Sequence, residues 1–382
     1  MATFDVLLPV RNGIAFLAAA IDGIVAQTFK DWRLIVLDHG SVDGSLELAG
    51  TYAARDARIV VHSVPDAQGL SGLLNHGLNL CDCKYVLRQD ADDVSLPDRM
   101  AVLASAFEAD PSQVVIGSLG DVIDARGKTI GSIDMPTGPN GVAAGALFRT
   151  PICHPAAALR LDGLRLLAER QHVSAVRYGD DIIGAVPEGR RLHVPGLAED
   201  YFLFGQLALL APCTNLDRKL IQYRWHGGNV AAVKYRDQMQ MALDISRYLA
   251  ESVSIVHGIE HVDPAPFCNH GERLFVIEGE VGHEPASKLA GKLAGELDFT
   301  LQYEALRKVL TKIVPNGAQL EQELAFRKVL SNRAKGPMAA RFIGYAARHA
   351  VRPSEKNTVK SWMLRAISKQ PTLTLKSSGV FA

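Results

Sequence analysis

The sequence predicts an α/β fold, with a mainly parallel, Rossmann-like sheet flanked by helices and a mostly helical C-terminal region. Three features carry that expectation. Four apolar β-type runs alternate with helix-spaced segments in the first hundred residues; small, acidic and amide residues gather where those runs end; and helical patterns dominate beyond about residue 235.

The runs are FDVLLPV (4–10), RLIVLD (33–38), RIVVHSV (58–64) and KYVLRQ (84–89). They are short and rich in Val, Leu and Ile, as parallel strands covered on both faces require. Between them IAFLAAAIDGIVAQ (14–27), SLELAGTYAARD (45–56) and LSGLLNHGLNLC (70–81) place apolar residues at helical spacing. In such sheets a ligand sits beyond the carboxyl ends of the strands, where loops offer side chains and backbone groups. Those ends are Pro9 to Gly13, Asp38 to Ser41, Asp66 to Leu70 and Asp90 to Asp93.

Further on, Ser95 with Asp98 three residues later and Pro97 near the first turn predicts a capped helix running to about Ala109. VVIGS and DVIDARGKTIGSI predict strands, the second a hairpin turning at Arg126-Gly127. Residues 141–196 carry a poorer pattern, read as loops and short helices. AEDYFLFGQLALLA (198–211) is helical, and YRDQMQMALDISRYLAESV and EALRKVLTKIV read as amphipathic helices. The expected organisation is a catalytic domain over residues 1–234 and a helical accessory region over 235–382.

Composition narrows the class. The chain has 382 residues, 48% hydrophobic and 21% charged, which is a globular composition with ample apolar material for a core. Net charge is zero, yet residues 324–382 carry +11 and the remainder −11, so an anionic surface is expected to meet the tail. GPMAARFIGYAARHAVRPSEKNTVKSWMLRAISKQ interleaves Phe342, Ile343, Tyr345, Trp362, Met363 and Leu364 with Arg and Lys, as helices lying on anionic lipid do. The competing reading is a basic helix packed on the catalytic domain or a homodimer contact. Nucleic acid is not expected, because no binding motif accompanies the charge. The start lacks a basic n-region and no run approaches roughly eighteen apolar residues, so neither a signal peptide nor a membrane span is expected. The five scattered cysteines are expected to be reduced thiols.

The chemistry concentrates in KYVLRQDADDVSLPDRM (84–100), which sets Asp90, Asp92 and Asp93 directly after an apolar run. Neighbouring carboxylates in a partly dry cleft repel unless one is protonated or a cation neutralises them. A hard ion, Mn²⁺ or Mg²⁺, takes oxygen ligands and shares them with substrate phosphates, which makes a nucleoside diphosphate a natural ligand. The plainer alternative is a solvated acidic turn. Haloacid-dehalogenase-like phosphatases also use D-x-D after a strand, but at the end of the first strand, whereas here it ends the fourth.

The segments VLLPVRNG, AIDGIVAQTFKDWRLIVLDHGSVDGS, GLSGLLNHGL, KYVLRQDADDVSLPDRM, PICHPAAALR, LAEDYFLFGQLAL and YRWHGGNV occur in this order over about residues 4–230. Together they resemble the inverting glycosyltransferases of family 2, of the GT-A fold, especially those of bacterial polysaccharide assembly. The resemblance implies roles by position. Pro9, Val10, Arg11 and Asn12 would lie against the nucleoside, with Asp38 and His39 facing base and ribose and Asn75 ordering the loop toward the nucleotide. Asp90 would lie near ribose and donor sugar. Asp92, with His226, would hold the metal and diphosphate. Asp200 would be the general base that deprotonates the acceptor hydroxyl. Glu199 and His154 would shape the acceptor side; a helix-terminal acid and a structural histidine are their plainer readings.

The sequence also departs from the family pattern. Most relatives read D-D-G-S where this chain has Asp38-His39-Gly40-Ser41, and an imidazole accepts or donates according to tautomer. This departure opens GDP-, dTDP- and CMP-linked donors, and the expected order remains a UDP-sugar first and a GDP-sugar second. IQYRWHGG lacks the Q-x-x-R-W spacing of processive synthases, so addition of one or a few hexose or N-acetylhexosamine units to a glycan or lipid-linked acceptor is expected, at the inner face of the plasma membrane. The alternatives are a nucleotide-sugar pyrophosphorylase, whose Gly-rich, lysine-containing opening loop is missing, and a degenerate glycan-binding or assembly subunit.

Overall fold

The computed structural model describes residues 3–133, 135–226, 228–229, 234–268, 300–314, 317–331, 338–352, 355–356 and 359. Its first half is built on β1 (Phe4–Val10), β2 (Trp32–Asp38), β3 (Ile59–Ser63) and β4 (Tyr85–Arg88), which pair in parallel in the order β3-β2-β1-β4. The register sets Val10 beside Asp38 and Asp38 beside Ser63, so three strand ends lie on one edge. Every residue of β1 and β4 is buried, which is why their sequences are nearly unbroken apolar runs. The exception in β1, Asp5, is fully buried but accepts two hydrogen bonds from Arg33, at 2.7 and 2.8 Å. Pairing removes most of the penalty of burying that charge.

Helices α1 (Ile14–Val25), α2 (Ser45–Ala53) and α3 (Gly69–Leu80) form the crossovers. α3 packs closely on the sheet because Gly77 has no side chain there. A Cβ at that position would lie 2.6 Å from Leu37 Cδ1 and 3.0 Å from Leu7 Cδ2.

The next helix, α4 (Arg99–Ala109), ends where its pattern predicts, but its start does not follow the capping expectation. Ser95 belongs to β5 (Val94–Ser95), which pairs antiparallel with a distant strand, β9 (Cys213–Arg224). Its Oγ donates to Gln89 Oε1 at 2.7 Å, and Asp98 occupies the cap position without capping the helix, its carboxylate accepting instead from Arg218 Nη2. The long-range ladder outweighs a local cap that would have contributed only about 1 kcal/mol.

The hairpin turning at Gly127 is present as β6 (Val115–Ile123) and β7 (Thr129–Ile133), antiparallel. β8 (Ala158–Arg160) lies antiparallel between β4 and β6, and β9 runs parallel to β6 along nearly its whole length. Among the described residues nine strands thus form one curled sheet, with parallel pairing through its first half. The poorly patterned stretch also supplies α5 (Gly138–Gly145), a 3₁₀ turn at His154–Ala156 and α6 (Leu161–Arg170), before α7 (Glu199–Leu210).

Beyond residue 234 come α8 (Tyr235–His257), α9 (Thr300–Ile313), α10 (Ala318–Ser331) and α11 (Met338–Ala346). They share one apolar cluster with the sheet-bearing part: Leu147, Phe148, Tyr201 and Phe202 pack with Leu249, Phe267, Leu310 and Leu324. Side chains of this size each contribute about 1.5–3 kcal/mol when fully buried, so α7 is braced along its length by α8.

Part of the basic tail is internal. Arg327 is buried; its Nε donates to Glu323 Oε1 at 2.6 Å, and its guanidinium lies 3.9 Å from the Phe148 ring centre. Arg352 Nη2 donates to Glu323 Oε2 at 2.8 Å. Of the apolar residues expected on a lipid-lying face, Tyr345 is buried in a separate small cluster with Phe326, Val329 and Leu330, Phe342 packs against that cluster and Ile343 is 70% exposed. Trp362, Met363 and Leu364 lie outside the described residues. Among the described residues no helix is long and apolar enough to cross a membrane. All five cysteines are buried free thiols.

Candidate active site

The loops after β1 and β2 are tied into one rim. His39 N–H donates to the Val10 carbonyl at 2.9 Å, Asn12 N–H to Ser41 Oγ at 3.0 Å, and Val42 N–H to Asn12 Oδ1 at 2.9 Å. Asn12 adopts φ 54°, a left-handed conformation that Asn tolerates better than most residues. Pro9 and Val10 are buried in the strand, while Arg11 and Asn12 stand exposed at its end. The Asp38 carboxylate is buried and accepts from the backbone N–H groups of Gly40 (3.0 Å) and Ser41 (3.2 Å), so it shapes the turn that Gly40 makes at φ 67°. The His39 ring reaches the Ala67 carbonyl through Nε2 at 3.1 Å. A carbonyl only accepts, so Nε2 carries the proton and Nδ1 is left as an acceptor.

Asn75 braces a different loop. Its Nδ2 donates to the Tyr178 carbonyl at 3.0 Å and its Oδ1 accepts from Tyr178 N–H at 2.8 Å. That pair holds α3 to the segment leading into α7.

At the end of β4, Asp90, Asp92 and Asp93 bring one ligand oxygen each within 4.8 Å of one another. Burial, then the charge of Asp92 after Arg88's opposing pull, raises the Asp90 carboxyl above the usual range. Burial and the charges of Asp92 and Asp90 raise Asp93 well above it. Asp93 Oδ1 accepts from Arg224 N–H at 2.7 Å, but its buried Oδ2 has no partner among the described residues. An all-oxygen cluster with mutually repelling carboxylates and one unpartnered buried oxygen fits a hard divalent cation. His226 Nε2 lies 3.0 Å from Asp92 Oδ2, and Phe16 lies 4.9 Å from the imidazole, centre to centre.

The supporting residues were not singled out in the sequence. Asn229 accepts from His226 N–H through Oδ1 and donates through Nδ2 to the Arg224 carbonyl at 3.0 Å. Arg224 Nε donates to the Asp92 carbonyl at 2.8 Å, and its Nη1 to the Asp124 carbonyl at 3.1 Å. The signal for Asn229 was its place directly after the glycine pair of WHGGN. Arg224 entered the sequence reading only through the Q-x-x-R-W spacing that IQYRWHGG lacks, and nothing local marks its contact with Asp92.

Glu199 and Asp200 open α7, where carboxylates favour the helix dipole. Ala198 precedes them at φ 59°, a conformation that costs a non-glycine residue about 1–2 kcal/mol. Burial and the charge of Asp200 raise Glu199 to about 8; burial and then the charge of Asp90 raise Asp200 to about 6. His154 is buried, with Nδ1 3.8 Å from Glu199 Oε1 and Nε2 accepting from Arg88 Nε at 3.2 Å. Burial and Arg88 push its pKa well below 6.5, so it is neutral. The structure therefore gathers Asp90, His154, Glu199 and Asp200 around Arg88, and Asp92 with His226 nearby on the same acidic loop.

Residues 5–162 match the model of "Glycosyl transferase family 2". That segment contains Asp38, Asp90, Asp92 and His154, whereas Glu199, Asp200 and His226 lie beyond it. A Bacillus subtilis (strain 168) protein named as a glycosyltransferase, EpsE, is 32% identical over 180 residues, 47% of this chain and 63% of its own length. A Mycobacterium bovis protein named "PGL/p-HBAD biosynthesis glycosyltransferase" is 31% identical over 158 residues, 40% of this chain and 57% of its own. The chain thus spans less than two thirds of either relative. Among solved structures, S. aureus TarS 1–349 in complex with UDP-GlcNAc superposes with TM-score 0.50 at 14% identity, covering 95% of this chain and 92% of that one. Residues 5–162 are accordingly a glycosyl transferase family 2 domain, and the chain that carries them has the GT-A fold.

Proposed function

We propose that the chain is a metal-dependent, inverting glycosyltransferase that moves a hexose or N-acetylhexosamine from a nucleotide sugar to a glycan or lipid-linked acceptor, in bacterial surface polysaccharide synthesis. The observation that carries this is a pair of carboxylate sets close enough to feel each other's charge: an acidic cluster at the end of β4 and a raised Glu199-Asp200 pair at the start of α7. The first suits a diphosphate with its cation; the second suits a general base. Asp200, at about 6, is ionised near neutral pH yet basic enough to take a hydroxyl proton. In a single displacement the acceptor oxygen attacks the anomeric carbon as its bond to the diphosphate breaks, and the hydroxyl proton goes to Asp200. Configuration at that carbon inverts.

Asp92, with Asp90 and His226, would hold Mn²⁺ or Mg²⁺, which when bound supplies positive charge to the departing diphosphate. Glu199, protonated below about pH 8, adds no second charge beside the base. The rim of Pro9, Val10, Arg11, Asn12, Asp38 and His39 takes the nucleoside. With Nε2–H given to Ala67, the His39 acceptor nitrogen suits a base that presents an N–H, as uracil and guanine do. That nitrogen suits either base, and this reading keeps UDP-sugars first and GDP-sugars second. TarS was solved with UDP-GlcNAc, which is consistent with that order. The division at residue 234, the peripheral inner-membrane location and a homodimer belong to the same proposal.

The test is a panel of UDP-, GDP-, CDP- and dTDP-sugars with Mn²⁺, read by release of free nucleoside diphosphate and by thermal shift. Slow donor hydrolysis with one base preferred is expected. Absence of both binding and hydrolysis across the panel would replace the enzyme with a non-catalytic glycan-binding subunit.

A further inference from the structure

One buried cation stands between the two carboxylate sets. Arg88 closes β4 at 1% exposure, and its planar guanidinium is engaged on three sides. Nη2 donates to Asp90 Oδ1, Nη1 to the Gln89 carbonyl, and Nε to His154 Nε2 at 3.2 Å. The backbone is fixed as well. Arg88 N–H donates to the Ala157 carbonyl at 3.0 Å, and Arg99 Nη2 bridges the carbonyls of Arg88 (3.0 Å) and Pro155 (2.7 Å). Strand β4 and the turn that carries His154 are thereby locked together.

The imidazole reads out this arrangement. A nitrogen that accepts from an arginine N–H must be bare, so the single proton of neutral His154 sits on Nδ1, the nitrogen nearest Glu199. The rings of Tyr178 and Phe204 lie 5.5 and 5.9 Å from the imidazole, so it is confined on those sides. Burying a guanidinium is costly where an apolar side chain could close the strand, so its contacts at both ends give the reason for its presence.

We propose that Arg88 is a positioning residue of the transfer reaction: it orients Asp90 on the donor side and, through the same fork, sets the tautomer and orientation of His154 beside Glu199 on the acceptor side. This deepens the glycosyltransferase reading and rests on it. Lysine at this position keeps a positive charge near Asp90 but lacks the rigid fork that serves two partners at fixed angles.

The experiment uses the full chain and the variants Arg88→Lys, His154→Gln and their combination. Nitrogen-15 NMR of the histidine rings should show His154 as the Nδ1–H tautomer in the unsubstituted protein and a changed tautomer in Arg88→Lys. Kinetically, Arg88→Lys should keep its donor KM within about threefold and lose about 10²-fold in kcat, the scale of a misplaced reacting group. The double variant should be no slower than Arg88→Lys alone. A wild-type tautomer and kcat in Arg88→Lys overturns the proposal, as do two effects that multiply. Should Arg88→Lys not fold, wild-type kcat in His154→Gln overturns it, and a 10²-fold loss at unchanged donor KM supports it. Failure of the unsubstituted protein to turn over any nucleotide sugar removes the glycosyltransferase reading instead, and the tautomer measurement still decides the geometry.

Discussion

Replacing Asp200 with Asn should slow the enzyme and stabilise the protein at once. In an unfolded chain the Asp200 carboxyl ionises near 3.8; in the fold, burial and the charge of Asp90 raise it to about 6. The sign follows directly. A raised pKa means that the group's contribution to stability is fully present below 3.8 and lost as pH rises through about 6. Above that window the native state holds a charge where charge is disfavoured. About two pKa units correspond to about 3 kcal/mol, and partial exposure of the side chain reduces this to about 1–2 kcal/mol. Asparagine keeps the shape and removes the charge, so Tm at pH 7.5 should rise by about 2–6 °C. Most of that gain should vanish by pH 4. Turnover should fall by about 10²- to 10⁴-fold, the range for loss of a general base. Calorimetry at the two pH values, beside transfer kinetics, checks both halves. A variant that melts lower at pH 7.5, or one that transfers sugar at the original rate, removes Asp200 from the base role.

Other outcomes follow from the same geometry. The kcat/KM profile should fall tenfold per unit below about pH 6, and Glu199→Gln should keep that limb, since Glu199, raised to about 8, is already protonated there; a limb near pH 4 would contradict both assignments. Glu323→Gln, which strips Arg327 of its carboxylate partner and Arg352 of one, should cost about 3–5 kcal/mol in urea titrations. Glu323 is held down at about 2 by Arg327 and Arg352, so its contribution is present above 4.5 and lost as pH falls toward 2. Asp92→Ala and His226→Ala should each abolish the extra thermal stabilisation that Mn²⁺ adds to bound UDP, and an unchanged shift would exclude them as ligands. Vesicles rich in anionic lipid should float the full chain better than one lacking residues 360–382; equal flotation rejects the tail as an anchor.

The first four strands and their helices were legible because each is specified by its own residues. A run such as FDVLLPV cannot be half-exposed without large loss, and acids after KYVLR must lie where the chain leaves the sheet. In the other half of the sheet the β6–β7 hairpin was legible, but β5, β8 and β9 were not. CTNLDRKLIQYR, which becomes β9, mixes charges with apolar residues and acquires its conformation from β6, about a hundred residues earlier. Ser95 looked like a cap and became a ladder residue for the same reason. The basic tail misled in part, since charge counts do not distinguish Arg327 and Arg352, paired inside the helical layer, from lysines that face water.

By itself the sequence determined the fold class, the strand-end acids Asp90, Asp92 and Asp93, and the Glu199-Asp200 pair, because side-chain periodicity and residue chemistry at a chain exit are properties of a few neighbours. Only the tertiary structure decided that Arg88 would join Asp90 to His154, that Asn229 would hold His226 against Asp92, and that α7 would be braced by helices beyond residue 234. Of those contacts, Arg88 with His154 and His226 with Asp92 join residues 66 and 134 positions apart, and such pairings arise only when the whole core closes.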